Sequence, residues 1–158
     1  KVPRARLVGI FDIDARAAED YATEHGVPAF SNLANMLDLP DLDAIMIGSP
    51  QFAHKEQVLA AAAHGKHIFC EKPMALSLSD CDEMIAAANR ANVKFCVGQV
   101  LRLLVPYVKC KELIESEELG SPLGVAIARC GGPFGPAGHW RTKQSLSGGT
   151  LFEFSVHE

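Results

Sequence analysis

Two pairs of side chains in this sequence have the types that proton-transfer chemistry uses. Glu71 and Lys72 are adjacent, follow a short apolar run and precede a proline, Pro73. Glu153 and His157 lie four residues apart, so on a helix they would share one face. Carboxylates, lysine and imidazole all serve as general acids and bases in enzymes. Both pairs also have an ordinary structural interpretation, because chains often become polar where they leave a sheet and acid–histidine pairs are frequent on helix surfaces.

The surroundings of Lys72 decide whether it can exchange a proton near neutral pH. A place at the mouth of an apolar cleft would lower the pKa of this amine, because desolvation disfavours the charged form. A facing Glu71 carboxylate would oppose that shift, but adjacent strand residues point to opposite faces of a sheet. We therefore expect Glu71 and Lys72 to face different sides. The bond before Pro73 is a candidate cis peptide, since about 5–6% of X-Pro bonds in folded proteins are cis.

The residues from 43 to 73 must position these groups, and their pattern predicts a βαβ unit. Ala44 to Ile47 and His67 to Cys70 are short apolar runs typical of buried strands, and His54 to His64 is an Ala-rich helix that stops before a glycine. The two strands of such a unit are parallel. Ligands of open parallel sheets bind at the carboxyl ends of the strands. Those ends are here Ser49-Pro50-Gln51 and Glu71-Lys72-Pro73.

Asp12 is a candidate ligand for the ribose of a dinucleotide. It ends a run, Arg6 to Asp12, that is rich in Leu, Val, Ile and Phe and predicts a strand covered on both faces. A helix from Ala15 to His25 follows and ends at Gly26. An acid at this point of a strand–helix unit typically holds the adenosine ribose hydroxyls. The alternative is a helix cap, a role that Asp14 could fill instead.

The phosphate-binding part of a dinucleotide site has no counterpart in the sequence. A Rossmann unit places a first strand and a GxGxxG turn ahead of the position of Asp12, and no GxGxxG occurs in these 158 residues. The last residues, Val156 to Glu158, read as the interior of a helix. We therefore expect an internal fragment of a longer protein. A complete but degenerate domain is the alternative.

Further elements continue the alternation of helix and strand. Ser31 and Ser79 are the expected N-caps of the next two helices, on either side of the βαβ unit. Phe95 to Val97 predicts a strand, and a helix is expected over 106–117.

Gly120-Ser121-Pro122 is the expected domain boundary, because it marks a change in this pattern. Leu123 to Arg129 predicts a strand, and a loop dense in Gly and Pro follows over 131–138. A final helix is expected from Leu151 to Glu158, entered through Gly149.

Composition excludes several classes of function. The chain has 158 residues, 48% of them hydrophobic, and a net charge of −4 with dispersed basic residues, so we expect no nucleic-acid partner. No apolar run approaches the roughly 20 residues that span a bilayer, and no signal-peptide pattern occurs, so we expect no membrane partner and a cytoplasmic location. The five cysteines show no CxxC spacing and are expected to be reduced, packed thiols rather than metal ligands.

The residues around the βαβ unit resemble a known family. The spacing of Ser49-Pro50, His54, Gly65-Lys66-His67 and Glu71-Lys72-Pro73 is similar to that of the Gfo/Idh/MocA oxidoreductases, which include glucose-fructose oxidoreductase and inositol dehydrogenase and carry an EKP signature. The resemblance covers most of the chain.

The resemblance implies an α/β fold in two parts. Residues 1–120 would be an incomplete NAD(P)-binding, Rossmann-like domain, a doubly wound parallel sheet without its first strand. Residues 121–158 would begin an α/β domain that binds substrate and commonly forms the subunit interface, so a homo-oligomer is expected.

Three catalytic candidates follow from the same resemblance. Lys72 matches the lysine of the EKP signature. The segment from Gly148 to Glu158 is similar to a family segment in which an acid and a histidine reach the substrate, which implies that role for Glu153 and His157. This sequence has Glu153 where the family usually has Asp and Ser155 where it usually has Gly. The longer acid shifts its carboxylate by one methylene.

The cofactor and substrate candidates are also implied by the family. The implied cofactor-binding residues are Asp12, Ser49, Pro50, Gln51, His54, Glu71, Lys72 and Arg102. Gln51 stands where the family often has Asn, His54 could instead cap its helix, and Arg102 could instead form a salt bridge with an acid of the chain. Trp140 and Arg141 fall where an aromatic and a basic residue often occur, for substrate binding or for packing of the second domain.

The sequence therefore predicts an NAD(P)-dependent oxidoreductase that acts on a secondary hydroxyl of a sugar, polyol or related small cyclic alcohol. NAD is expected rather than NADP, because the Asp12 carboxylate would repel a 2′-phosphate and the next two residues, Ile13 and Asp14, supply no arginine. The alternatives are a non-catalytic, dinucleotide-binding regulator and a fragment without activity of its own.

Overall fold

The computed structural model describes residues 4–128, 136 and 138–157 as an α/β structure with parallel strands. The strands and α-helices are β1 (Ile10–Phe11), α1 (Ala15–His25), β2 (Ala29–Phe30), α2 (Leu33–Leu37), β3 (Ala44–Ile47), α3 (His54–Ala63), β4 (His67–Cys70), α4 (Leu78–Arg90), β5 (Phe95–Val97), α5 (Val105–Glu115), α6 (Gln144–Ser147) and α7 (Thr150–Glu153).

The predicted βαβ unit is confirmed. Strands β3 and β4 are parallel neighbours, with Ala44 opposite His67 and Ile47 opposite Cys70, and α3 connects them. β5 continues the sheet on the other side of β4, again parallel, so the strand order is β3-β4-β5. β1 and β2 form a separate parallel pair. The carboxyl ends of the three central strands therefore lie at one edge of the sheet, as the sequence predicted.

The main core lies between one face of this sheet and the helices α3 and α4. Ile45, Ile47 and Ile68 from the strands pack with Val58 of α3 and Met84 of α4, and all five are buried. The other face is different, because Met46 of β3 is 72% exposed. β3, which was expected to be a buried strand, is therefore buried on one face only in the part of the chain described, because its buried and exposed residues alternate.

The first predicted strand is also shorter than expected. Only Ile10 and Phe11 of the run from Arg6 to Asp12 pair with a neighbouring strand. Leu7 is about half exposed, and Arg6 instead forms an exposed ion pair with Asp41, 2.7 Å from nitrogen to oxygen. The apolar composition of this run predicted a longer strand than the structure has. Only the residues that find a partner in β2 form the strand.

Helix α1 begins and ends where the sequence predicted. Asp14 is its N-cap, and the Asp14 side chain accepts hydrogen bonds from the backbone N–H groups of Arg16 and Ala17. Gly26 ends the helix with a φ of 66°, a left-handed conformation that glycine adopts without a Cβ penalty.

Two other predicted N-caps are wrong. Asn32 rather than Ser31 caps α2, through a bond from the Ala34 N–H. Ser77 rather than Ser79 caps α4, because its Oγ accepts the Asp80 N–H at 3.1 Å. In both cases a neighbouring residue of equal capping ability has the extended backbone that the cap position requires.

The last third of the chain departs most from expectation. Residues 123–128 form no strand, and Leu123 and Val125 are exposed. Arg129 and most of the predicted loop over 131–138 lie outside the described residues. Gly120 adopts a positive φ of 77° in a turn, but the division into domains at this point stays a prediction.

The predicted final helix is interrupted. Helix α7 is entered through Gly149 as expected but ends at Glu153, and a 3-10 turn follows over Ser155–His157. Glu153 and His157 therefore do not share one continuous helix, and their spacing of four residues no longer implies that they face the same side. Among the described residues, no helix is long and apolar enough to cross a membrane.

The cap of α4 can be tested with a matched pair of serines. Ser77→Ala should lower the free energy of unfolding by about 1 kcal/mol, because it leaves a helical N–H without its side-chain acceptor. Ser79→Ala, two residues later on the same exposed helix end, should change it by less than about 0.5 kcal/mol. Urea denaturation of the two variants measures the difference, and equal losses would contradict the assignment of the cap.

Candidate functional site

The candidate site lies at the carboxyl edge of the sheet, where three strand ends meet. Backbone bonds hold these ends together: the Glu71 N–H donates to the Ile47 carbonyl at 2.9 Å, and the Gly98 N–H donates to the Cys70 carbonyl at 2.8 Å. The polar residues after each strand therefore lie side by side. The Lys72–Pro73 peptide bond at the centre of this edge is cis.

Lys72 reaches from this edge to the end of α7. Its Nζ donates a hydrogen bond to the backbone carbonyl of Glu153 at 2.6 Å and lies 3.8 Å from Oε2 of the same residue. The last carbonyls of a helix lack partners within the helix, so a lysine ammonium is well placed there. Only 16% of the Lys72 side chain is exposed. Two candidates that are 81 residues apart thus come into contact.

Glu153 is the most enclosed acid of the site, with 8% of its side chain exposed. Its Oε1 accepts a hydrogen bond from the Gln51 side-chain amide at 2.8 Å. Its Oε2 faces two cations, Lys72 Nζ at 3.8 Å and Arg141 Nε at 3.9 Å. A buried carboxylate needs such partners, because removal from water is costly for an unpaired charge.

Trp140 and Arg141 lie beside this carboxylate. The guanidinium of Arg141 stands over the Trp140 ring, 5.1 Å from its centroid, which is cation–π geometry. Trp140 in turn meets Phe52 edge to face, with centroids 6.2 Å apart. The half-exposed Phe52 and the basic group of Arg141 thus form an aromatic and cationic surface next to Glu153.

Gln51 does not point into open space at the end of β3. It is buried, and its amide nitrogen donates both to Glu153 and to the Ser147 carbonyl, each at 2.8 Å. The family resemblance placed Gln51 among the cofactor ligands. In the structure its amide protons are already used by the chain itself.

His54 is buried beneath the site, with 1% of its surface exposed. Its Nδ1 lies 3.0 Å from the Pro73 carbonyl and its Nε2 lies 2.8 Å from the Ser49 carbonyl. The ring therefore joins the turns after β3 and β4. It does not cap α3, as one interpretation proposed, and direct contact with a dinucleotide would require the ring to be uncovered.

Ser49 and Glu71 follow β3 and β4, and both side chains form hydrogen bonds within the chain. The Ser49 hydroxyl donates to the Gln57 side-chain carbonyl of α3 at 2.6 Å. The Glu71 carboxylate accepts the backbone N–H of Lys72 at 3.3 Å and lies next to Gly98, where an added Cβ would be 3.3 Å from Oε2. The Glu71 carboxylate is thus beside β5 while the Lys72 amine reaches α7, as expected for adjacent residues of a strand.

Asp12 follows β1, outside the β3-β4-β5 sheet, and Arg102 follows β5. Asp12 is exposed after β1, and its Oδ1 accepts the Asp14 N–H at 2.9 Å. Because Asp14 caps α1, the alternative role for Asp12 is already filled. Arg102 is exposed on a 3-10 turn, Val100–Leu103, and among the residues described no acid lies within ion-pair distance of it.

His157 is half-buried on the 3-10 turn that follows α7. Its backbone N–H donates to the Phe154 carbonyl at 3.2 Å. His157 lies four residues after Glu153 in the sequence. The role toward the substrate that the family resemblance implies for His157 stays a prediction.

Three residues that shape the site were not among the candidates from sequence. Phe52 supports Trp140, Gln57 holds the Ser49 hydroxyl, and Ser147 accepts the Gln51 amide with its backbone carbonyl while being fully buried. A signal existed for Phe52, which is an aromatic residue directly after the strand end. No sequence pattern marks a backbone acceptor such as Ser147.

Comparison with known proteins identifies related chains. The model of the Gfo/Idh/MocA family, described as an oxidoreductase family with an NAD-binding Rossmann fold, matches residues 1–99. An uncharacterized oxidoreductase of Streptococcus pneumoniae is 36% identical over 155 residues, which are 98% of this chain and 41% of that protein. The glucose-6-phosphate 3-dehydrogenase of Bacillus subtilis is 35% identical over 126 residues, 80% of this chain and 35% of that protein.

A solved structure is also similar to this chain. The WlbA dehydrogenase from Bordetella pertussis, in complex with NADH and UDP-GlcNAcA, has a TM-score of 0.71 and 32% identity, over 74% of this chain and 34% of that one. The chain spans less than half of the length of each of these relatives.

Cys70, which directly precedes Glu71, should be chemically inert. Burial, and secondarily the charge of Glu71, raises the pKa of the Cys70 thiol to about 12. At pH 8 only about one thiol in ten thousand would be ionised, and the thiolate is the reactive form. We expect iodoacetamide to alkylate exposed Cys110 at least tenfold faster than Cys70, as followed by mass spectrometry. The two rates should converge in urea, and equal rates in the native protein would contradict the burial of Cys70.

Proposed function

The chain belongs to the Gfo/Idh/MocA oxidoreductase family, and on that premise we propose that the whole protein is an NAD(P)-dependent dehydrogenase of a sugar, polyol or related small cyclic alcohol. The observation that carries the proposal is the meeting of Lys72, Glu153 and Arg141 at the carboxyl edge of a parallel sheet. Ligands of such sheets bind at this edge. A cationic and acidic cluster there suits a substrate with several hydroxyl groups, since it offers both donors and acceptors.

The residues of this edge fit a dinucleotide. Asp12 is exposed after β1 and is not the cap of α1, so its carboxylate suits the adenosine ribose hydroxyls. Gly48, at the end of β3, has no heavy atom within 4 Å of the place where a Cβ would stand, so the backbone there is open to a close ligand. Ser49, Pro50, Glu71 and Arg102 are the further candidates on the cofactor side.

A bound nicotinamide would supply the acceptor for the hydride that leaves the carbinol carbon. The chain must then bind the hydroxyl oxygen and take its proton. We assign the first task to the Lys72 ammonium. While Lys72 is an ammonium, His157 is the candidate for the proton acceptor, and Lys72 can take that role only as a neutral amine. Glu153 orients Lys72 and Arg141 and can accept a hydrogen bond from a neighbouring substrate hydroxyl.

The substrate class is inferred from the site and from the relatives. A glucose-6-phosphate 3-dehydrogenase and a dehydrogenase structure in complex with NADH and UDP-GlcNAcA are among the similar proteins. The surface formed by Phe52, Trp140 and Arg141 suits a sugar ring, because aromatic faces cover its C–H groups while the guanidinium binds its oxygens. We further propose that the region after residue 120 contributes to a homo-oligomer interface.

Cofactor choice is the first test. The whole protein should prefer NAD over NADP by about a hundredfold or more in kcat/KM, because a 2′-phosphate beside the Asp12 carboxylate brings two like charges together. Asp12→Asn should reduce that preference at least tenfold. Asp14→Asn is the matched control, since asparagine also caps helices and the ratio should not change. Equal kcat/KM for the two cofactors in the unsubstituted protein would contradict the assignment of Asp12.

Lys72→Met tests the chemistry itself. Loss of a general acid–base group typically lowers the rate by about 10² to 10⁴, so kcat should fall by that factor while dinucleotide affinity stays nearly constant. Lys109→Met is the control, because the Lys109 ammonium is exposed on α5 and forms a local ion pair with Glu112. Steady-state rates and fluorescence titration with NADH measure the two quantities. A Lys72→Met protein with near-normal kcat would make this lysine structural and would contradict its assignment to the reaction.

A further inference from the structure

The side chain of Gln51 is held by two hydrogen bonds to a distant part of the chain. Its Nε2 donates to the Ser147 carbonyl and to Glu153 Oε1, both at 2.8 Å, and only 4% of the residue is exposed. A primary amide has two N–H protons, so these bonds use its full donor capacity. Ser147 is fully buried, so one end of this arrangement is fixed by packing.

These bonds determine how the Glu153 carboxylate is oriented. Gln51 binds Oε1 only, so Oε2 is left to face Lys72 Nζ at 3.8 Å and Arg141 Nε at 3.9 Å. Neither ion-pair distance is short enough to be a hydrogen bond. Of these three contacts of the carboxylate, the amide bond is therefore the short, directional one, and the two cations act at longer range.

The backbone of Gln51 is itself fixed by the sheet edge. Gln51 follows Pro50 on a 3-10 turn, Gln51–Ala53, in which the Ala53 N–H donates to the Pro50 carbonyl at 2.9 Å. The Gln51 amide thus connects the end of β3 to Ser147 of α6 and Glu153 of α7 by hydrogen bonds.

We propose that Gln51 is a positioning residue that acts through Glu153: it orients the carboxylate so that Oε2 faces the Lys72 ammonium, which the Glu153 backbone carbonyl holds at 2.6 Å where the substrate hydroxyl binds. It does so without contacting the dinucleotide. The proposal rests on the proposed dehydrogenase function and adds a residue that the reaction itself does not require. Substitution of a purely structural glutamine would lower the stability of the protein. It would not lower kcat selectively while the Kd for NADH stays constant.

A double-mutant cycle on the whole protein tests this coupling. Turnover is measured with NAD and a panel of sugars and polyols that includes glucose 6-phosphate, for Gln51→Ala, Glu153→Ala and the double variant. Gln51→Ala should lower kcat by about ten- to a hundredfold, the scale of a small misplacement of a reacting group, with the Kd for NADH changed by less than about threefold. In the Glu153→Ala background the same substitution should lower kcat by less than about twofold, because the group that it positions is gone.

Two further variants keep the test decisive. Gln144→Ala removes an exposed glutamine of α6 and should leave kcat unchanged. Gln51→Asn keeps the amide but shortens it, and it replaces Gln51→Ala if that variant does not fold; its kcat loss should likewise disappear in the Glu153→Ala background.

The outcomes separate this proposal from the dehydrogenase proposal. Active unsubstituted protein with independent, multiplicative losses from the two substitutions would overturn the role of Gln51 alone. A large rise in the Kd for NADH on Gln51→Ala would also overturn it, in favour of direct cofactor binding. Unsubstituted protein that turns over no member of the panel with NAD or NADP would overturn both proposals.

Discussion

The Glu153 carboxylate is almost fully enclosed, so hydrogen-bond donors and positive charges must surround it. Three separate parts of the chain supply them. The Gln51 amide comes from the turn after β3, Lys72 from the turn after β4, and Arg141 from the segment ahead of α6. An unmatched charge at this depth would cost several kcal/mol. The positions of these three side chains are therefore linked to one another through a single acid.

The parallel sheet makes this convergence possible. Strand ends of a parallel sheet lie at one edge, so the turns after β3, β4 and β5 are neighbours even though helices separate them in sequence. Buried His54 then joins two of these turns through the carbonyls of Ser49 and Pro73. The site is thus stabilised by the hydrogen bonds of His54 to two turns and by the contacts of Glu153 with Gln51 and Lys72. Side chains on a rigid edge hold their positions better than side chains on a free loop.

The parts that the sequence predicted well are those governed by local rules. The βαβ unit from 43 to 73 follows from apolar runs and a glycine stop, and α1 with its Asp14 cap and Gly26 end follows from capping preferences. Ser31 and Ser79 were wrong caps because an equally good residue stood one or two positions away, and only the backbone conformation decides between them. The strand expected over 123–129 is absent from its described part, 123–128, for a different reason, since a strand exists only if a partner pairs with it.

The contacts within the site could not be predicted, because they join residues that no short pattern relates. The family resemblance nominated Lys72, Glu153 and Gln51 one by one, each for a role toward a ligand. The structure shows that the three also bind each other. That Gln51 uses its amide for Glu153 and Ser147 depends on where α6 and α7 lie, and this is a property of tertiary structure.

The separation of these contacts along the chain also bears on the order in which the molecule assembles. Ala44 of β3 pairs with His67 of β4, only 23 residues later (67 − 44), whereas the Gln51–Glu153 bond spans 102 residues. Closing the longer loop costs roughly 1 kcal/mol more in chain entropy, about 0.6 kcal/mol for each doubling of length. The sheet edge can therefore form while a ribosome is still adding the residues up to 153. Lys72 and Gln51 would meet Glu153 only after that residue has been added, so these contacts of the sheet edge form later than the strand pairing.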